Sequence, residues 1–282
     1  MPLKIETATS PVCALSVWTV ADTETLVDVL AWLYIRKPRH AQRVIHALAP
    51  GYAAVPGNEY ENARTLLSVR TDDIVSALSS ADPEKAKKAK ATRDTRTEHR
   101  DGLLFQHVSW VAAHLQFPHA KARPPHVRVA DKGFDGLLVQ LADDGLARVV
   151  LCEDKATIKP RNMVTQKVWP ELKTIVAGER DLEILDAVTG LLDTMVPGED
   201  VDALLVGAVW ERLREFRVAV TAGPGDLRPD GYGHIFGSYD KQVAGAPSIR
   251  RAEVLPLDDI RGNLANLASH VIARLSELEA GV

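Results

Sequence analysis

At 282 residues, 46% hydrophobic and 26% charged, the chain has a globular composition and enough length for one large domain or two modest ones. No apolar run approaches the roughly 18 to 20 residues that span a bilayer, and the first ten residues lack a basic stretch followed by an apolar one, so a soluble protein with no membrane partner is expected. Two isolated cysteines, Cys13 and Cys152, exclude a disulfide scaffold and fit a reducing cytoplasm, while nine histidines without HExxH or zinc-finger spacing and a net charge of −4 argue against structural zinc and a broadly basic nucleic-acid binder.

In chain order, a strand is expected at 13–20 and a helix at 23–34, with Asp22 available as its N-cap. Helical patches at 42–48 and 60–67 are separated by the turn-rich stretch APGYAAVPGNEY. Between 84 and 100, seven Lys/Arg (85, 87, 88, 90, 93, 96, 100) face three acids (84, 94, 98). A solvated helix or linker is the expectation there, with a phosphate-contacting arm as the alternative. A boundary is placed in this segment, giving a helical N-terminal region, 1–95, for substrate, partner or oligomer contacts, and a second domain, 96–282.

From 98 to 116, Leu104, Val108, Val111 and Leu115 recur at steps of 4, 3 and 4, the spacing of a helix with one apolar face. FPHAKARPPH ends it, and a strand is expected at 127–130. Two strands then follow in GFDGLLVQLADDGLARVVLCEDKAT, residues 133–157, folded about an Asp-Gly turn. Beyond them come a helical region at 165–192 that Pro170 starts or kinks, a helix at 201–214, and a strand in FRVAVT. A loop with five glycines, AGPGDLRPDGYGHIFGSYD, reads as a flexible cover over a substrate channel; lacking a GK[ST] ending, it is a poor nucleotide cradle. RRAEVLPL reads as a last strand, and Asp258 opens a C-terminal helix with Leu264, Leu267, Val271 and Leu275 at helical spacing. These elements make an α/β fold, a mixed central sheet flanked by helices.

The chemistry concentrates in the hairpin. Side chains alternate faces along a strand, so Glu153 and Lys155 share a face with Val149 and Leu151, and Asp154 points to the other. Antiparallel pairing about Asp143 and Asp144 brings Asp135 and Glu153 to the same end. Two carboxylates converging there form a hard oxygen site suited to Mg²⁺, and an adjacent lysine can orient or help deprotonate a water and balance phosphate charge.

This constellation resembles the PD-(D/E)XK, or restriction-endonuclease-like, phosphodiesterase superfamily, whose pattern is an acid at the start of one strand and (D/E)-X-K on the next. Here the acid is Asp135 in GFDG, with Phe134 where the pattern has Pro, and the tripeptide is Glu153-Asp154-Lys155, 18 residues later. The resemblance covers residues 101–172. It implies a restriction-endonuclease-like core, Asp135, Glu153 and Lys155 as catalytic residues, and Mg²⁺, with Mn²⁺ able to substitute. Asp135, Glu153 and the Asp154 backbone carbonyl would hold the metal. A helix element Gly-x-x-Phe-Gln, here Gly102, Phe105 and Gln106, implies Gln106 as a weaker metal ligand, and Gln166 could fill the place of a glutamine on the helix after the lysine.

The activity so implied is a metal-dependent nuclease acting on nucleic acid, DNA ahead of RNA, in a prokaryotic restriction or anti-phage defence setting. A nuclease-like subunit that only binds nucleic acid or a partner, or becomes active on assembly with a partner or as a homo-oligomer, is the alternative. Lys121, Arg123, Arg128 and Lys132 lead into Asp135 and could track a nucleic-acid backbone, with a solvated loop the equal alternative; Lys132 is three residues from the acid. His107, His114, Trp110 and Trp169 are read as packing residues, with base stacking the alternative for the tryptophans.

Overall fold

The computed structural model describes residues 1–51, 57–127, 134–142, 145–196, 201, 205 and 213–281. Its chain order is β1 (Leu3–Ala8), β2 (Ala14–Val20), α1 (Thr23–Tyr34), α2 (Pro38–Ile45), α3 (Glu59–Leu67), α4 (Val75–Leu78), α5 (Pro83–Gln116), β3 (Lys121–Ala122), β4 (Gly136–Ala142) and β5 (Gly145–Lys155). There follow α6 (Pro160–Met163), a π-helical turn (Val164–Val168), α7 (Trp169–Val176), α8 (Asp181–Met195), β6 (Arg214–Ala222), β7 (Arg250–Pro256) and a C-terminal helix (Ile260–Ala280). Most of the expected strand at 127–130, the Asp143-Asp144 turn and most of the expected helix at 201–214 lie outside the described residues.

Local chemistry explains the element ends. Asp22 accepts from the Thr25 backbone N–H at 3.0 Å and starts α1, as expected. Asp82 accepts from Glu84 N, with Pro83 in the first turn, and starts α5. At the C-terminal helix Asp259, rather than Asp258, is the cap, because its oxygen reaches Gly262 N at 3.0 Å. Pro170 is the second residue of α7, in a backbone helical from α6 onward, and the π turn before it accommodates its missing N–H and its ring.

Seven strands form one mixed sheet in the order β1-β2-β7-β6-β5-β4-β3. The central strands β2, β7, β6 and β5 run parallel, and the two edges are antiparallel. Each face is covered. Trp18, Cys152, Ala219 and Leu255 face a core shared with α1, α2, α3, α5 and the C-terminal helix. Leu15, Leu151, Val218 and Val254 face a second core with α7 and α8.

Two expectations need revision. The boundary near residue 95 falls inside α5, which passes through it unbroken, and the N-terminal region is not only helical, since β1 and β2 extend the sheet through β7. The glycine-rich segment divides: residues 224–230 are largely exposed, whereas Ile235, Phe236 and Tyr239 are fully buried in the second core, and Arg161 donates to the carbonyls of Ile235 and Gly237. Its aromatic and aliphatic residues, rather than its glycines, decide where it sits.

Candidate functional site

The hairpin register determines who meets whom. β4 and β5 pair from Gly136↔Cys152 to Val139↔Val149, with a shift between Gln140 and Leu141. One further step in that register sets Asp135 opposite Glu153. Gly136 permits the approach: a Cβ there would stand 3.1 Å from Cys152 Cβ, tighter than packing normally allows.

Lys155 joins the two acids. Its Nζ lies 2.6 Å from Asp135 Oδ2 and 2.9 Å from Glu153 Oε2. Asp135 also accepts from the Asp154 backbone N–H at 2.9 Å and from Gln106 Nε2 on α5. Four of the expected residues, Gln106, Asp135, Glu153 and Lys155, are thus one cluster. Glu153 is 3% exposed, and burial raises its carboxyl well above the carboxylate range, with Lys155 opposing that shift. Burial lowers the Lys155 ammonium, but Glu153 and Asp135 outweigh it and the net shift is upward. Lys155 is placed as a hydrogen-bond donor to both carboxylates.

The cluster opens on a cleft of about 510 Å³ between α5, the end of β5 and α6. Gln106, Asp135 and Lys155 line it together with His99, Lys159 and Asn162, while Glu153 stands behind them. The oxygens available to a cation are those of Asp135 and Glu153, Gln106 Oε1 and the Asp154 carbonyl. Gln106 Oε1 and Glu153 Oε1 are buried without a hydrogen-bond partner, so the donor set suits a hard divalent ion that keeps several waters. Among the described residues no group of three or more His, Cys, Asp or Glu side chains is placed to hold a metal, so such an ion would rely on the amide and carbonyl oxygens as well.

Asp154 points away, as parity requires, into a buried network. Ser109 Oγ donates to Asp154 Oδ1 at 2.6 Å, and Arg217 Nη1 donates to Ser109 Oγ at 2.7 Å. Arg217 also pairs with Glu253 at 2.6 Å, its guanidinium carbon 5.2 Å from the Trp18 ring centre. Burial pushes the Asp154 carboxyl up to about 7, against the lowering effect of Arg217. The sequence reading missed Ser109, Arg217 and Glu253. Their signals were available: a serine one turn after Gln106, an arginine inside the apolar strand FRVAVT, and a glutamate followed by apolar residues in RRAEVLPL.

Other expected residues stand apart. Gln166 is exposed on the π turn and is not among the described residues hydrogen-bonded to the cluster. Lys132 and Arg128 lie outside the described residues, Lys121 pairs with β4 in the sheet, and Arg123 is exposed. Trp110 and Trp169 are buried, with Trp169 against Tyr239 at 4.8 Å between ring centres, so both serve packing. His107 and His114 are buried and bonded through Nδ1 to the carbonyls four residues earlier, Leu103 and Trp110.

No family model, curated protein or solved structure matches this chain.

Proposed function

We propose that this chain is a metal-dependent phosphodiesterase cleaving nucleic acid, DNA ahead of RNA, with a restriction-endonuclease-like core and a setting in prokaryotic restriction or anti-phage defence. The observation that carries this reading is the meeting of Asp135, Glu153 and Lys155, from adjacent strand ends, at a polar cleft into which Gln106 also reaches. The order of α5, the hairpin and the helices after β5 is the one the resemblance implies, and it supports this reading.

Asp135 and Glu153 would hold Mg²⁺ or Mn²⁺, with Gln106 Oε1 and the Asp154 carbonyl as further oxygens. Bound there, the metal supplies Lewis-acid stabilisation of charge developing on the phosphate. Lys155 would donate to a water or to a phosphate oxygen and oppose the same charge. Asp135 fixes Lys155 by accepting from it at 2.6 Å, and the Asp154 N–H fixes Asp135 in turn. Gln106 anchors the other Asp135 oxygen.

Purified protein incubated with plasmid, single-stranded DNA and RNA, with Mg²⁺, Mn²⁺ or EDTA, tests this. Cleavage should require metal and fall by about a hundredfold or more in Asp135→Ala and Lys155→Ala. Equal cleavage by wild type and both variants would remove the site assignment.

One observation favours a second reading. Lys155 bridges both carboxylates, so a site that binds metal only after Lys155 shifts would belong to a subunit activated on assembly. Cleavage absent from the isolated chain and gained with a larger species in size exclusion, on adding nucleic acid or a partner, would select it.

A further inference from the structure

Resting on the reading of the cleft as a phosphodiester site, we infer that the amino-terminal half of α5 is a track for the backbone of duplex DNA leaving that cleft. α5 is a single helix of 34 residues, about 50 Å long at 1.5 Å per residue. Its second half is buried among both sheet and helices, whereas its first half is largely exposed. Arg96 anchors that exposed half, donating to both Asp73 carboxylate oxygens at 2.6 and 2.7 Å and to the Arg70 carbonyl.

The helix aligns the exposed half with the site. Gln106, Gly102, His99, Thr95, Thr92, Lys88 and Lys85 follow steps of 4, 3, 4, 3, 4 and 3, so they form one stripe. Gln106, Gly102 and His99 line the cleft. Lys88 is five whole turns from Gln106, so the two side chains leave the helix in the same direction about 27 Å apart. That is about eight base pairs at 3.4 Å each.

Charge completes the argument. Lys85 and Lys88 are exposed, and among the described residues neither has an ion-pair partner. Between positions 85 and 106 the stripe contains no carboxylate; Glu84 stands one turn before Lys88 at its far end, and Glu98, on the flank, is paired to Arg261. In a chain of net charge −4, the stripe carries no negative charge from the cleft to Lys88 and bears its two cations at the far end, while exposed Lys159 stands on the cleft lining. A polyanion with regularly spaced phosphates fits it. Lys87 and Lys90 project from other sides of the same turns and provide an internal control.

Binding of the full chain, in EDTA, to labelled DNA duplexes of about 30 and about 8 base pairs tests the track. Lys85→Ala/Lys88→Ala should weaken binding of the long duplex by about tenfold at low salt and reduce the salt slope by about 2, leaving the short duplex unchanged. Lys87→Ala/Lys90→Ala should do markedly less. Equal losses in the two pairs, unchanged binding of the long duplex, or tighter lysine-dependent binding of single strands would each overturn the inference. Lysine-dependent binding without metal-dependent cleavage by wild type would remove the phosphodiesterase reading and keep the track; cleavage without lysine-dependent binding would do the reverse.

Discussion

His114 shows what burial does to one residue. It lies near the carboxyl end of α5, 8% exposed, with Nδ1 against the Trp110 carbonyl at 3.0 Å and Nε2 2.8 Å from the Gln42 amide nitrogen. Burial lowers its pKa to about 4, partly opposed by the Trp110 carbonyl. In the unfolded chain it titrates near 6.5. Because the folded value is depressed, the unfolded state binds more protons between those pH values, so stability is complete above 6.5 and is lost as pH falls toward 4. At pH 5 the loss from this residue is about 2 kcal/mol relative to pH 7.5. His114→Asn, whose amide can still donate to Trp110, should lack this component. Urea unfolding at pH 7.5 and pH 5 checks it; equal pH losses in wild type and variant would show that His114 is not titrating.

Among elements, α5 carries most of the argument. It contributes Gln106 to the cluster, Ser109 to the buried network and the lysine stripe at its exposed end. Gly102 sits in its interior, facing the cleft, and a Cβ there would meet nothing within 4 Å. A helical glycine is less stable than alanine by about 0.5 to 1 kcal/mol, so Gly102→Ala should raise the unfolding free energy by that amount. The added methyl would enter the cleft, so nucleic-acid cleavage should fall while stability rises. A stability gain with unaltered cleavage would show that no substrate approaches α5 there. The hairpin is the complementary case, since its Asp-Gly signal, alternation and charged strand ends all agree and its register was legible beforehand.

For the whole molecule, the sheet ties the two expected domains together. β2 pairs with β7 in parallel, and Trp18 stacks on Phe105 with ring centres 6.0 Å apart. Removing residues 1–95 would take away β1, β2, α1, α2, α3, α4 and the first 13 of the 34 residues of α5, and expose one face of the sheet. A fragment of residues 96–282 should therefore lack a cooperative thermal transition, whereas the full chain should unfold in one. A fragment with a sharp transition and native-like circular dichroism would restore the boundary near 95.

How much was legible depended on how local the cause was. Caps such as Asp22, the 3.6-residue repeat of α5 and the parity of Glu153, Asp154 and Lys155 are properties of short stretches, and the sequence by itself determined them. β1 was overlooked although Leu3 and Ile5 alternate with Lys4 and Glu6, because six residues at a terminus give a weak signal. Only the tertiary structure decided that Gln106 touches Asp135, that Ser109 and Arg217 enclose Asp154, and that Ile235, Phe236 and Tyr239 of the glycine-rich segment are buried in the second core. Those contacts join residues 29 to 108 positions apart, and they arise from desolvation and packing of whole elements, which no periodicity within one segment encodes.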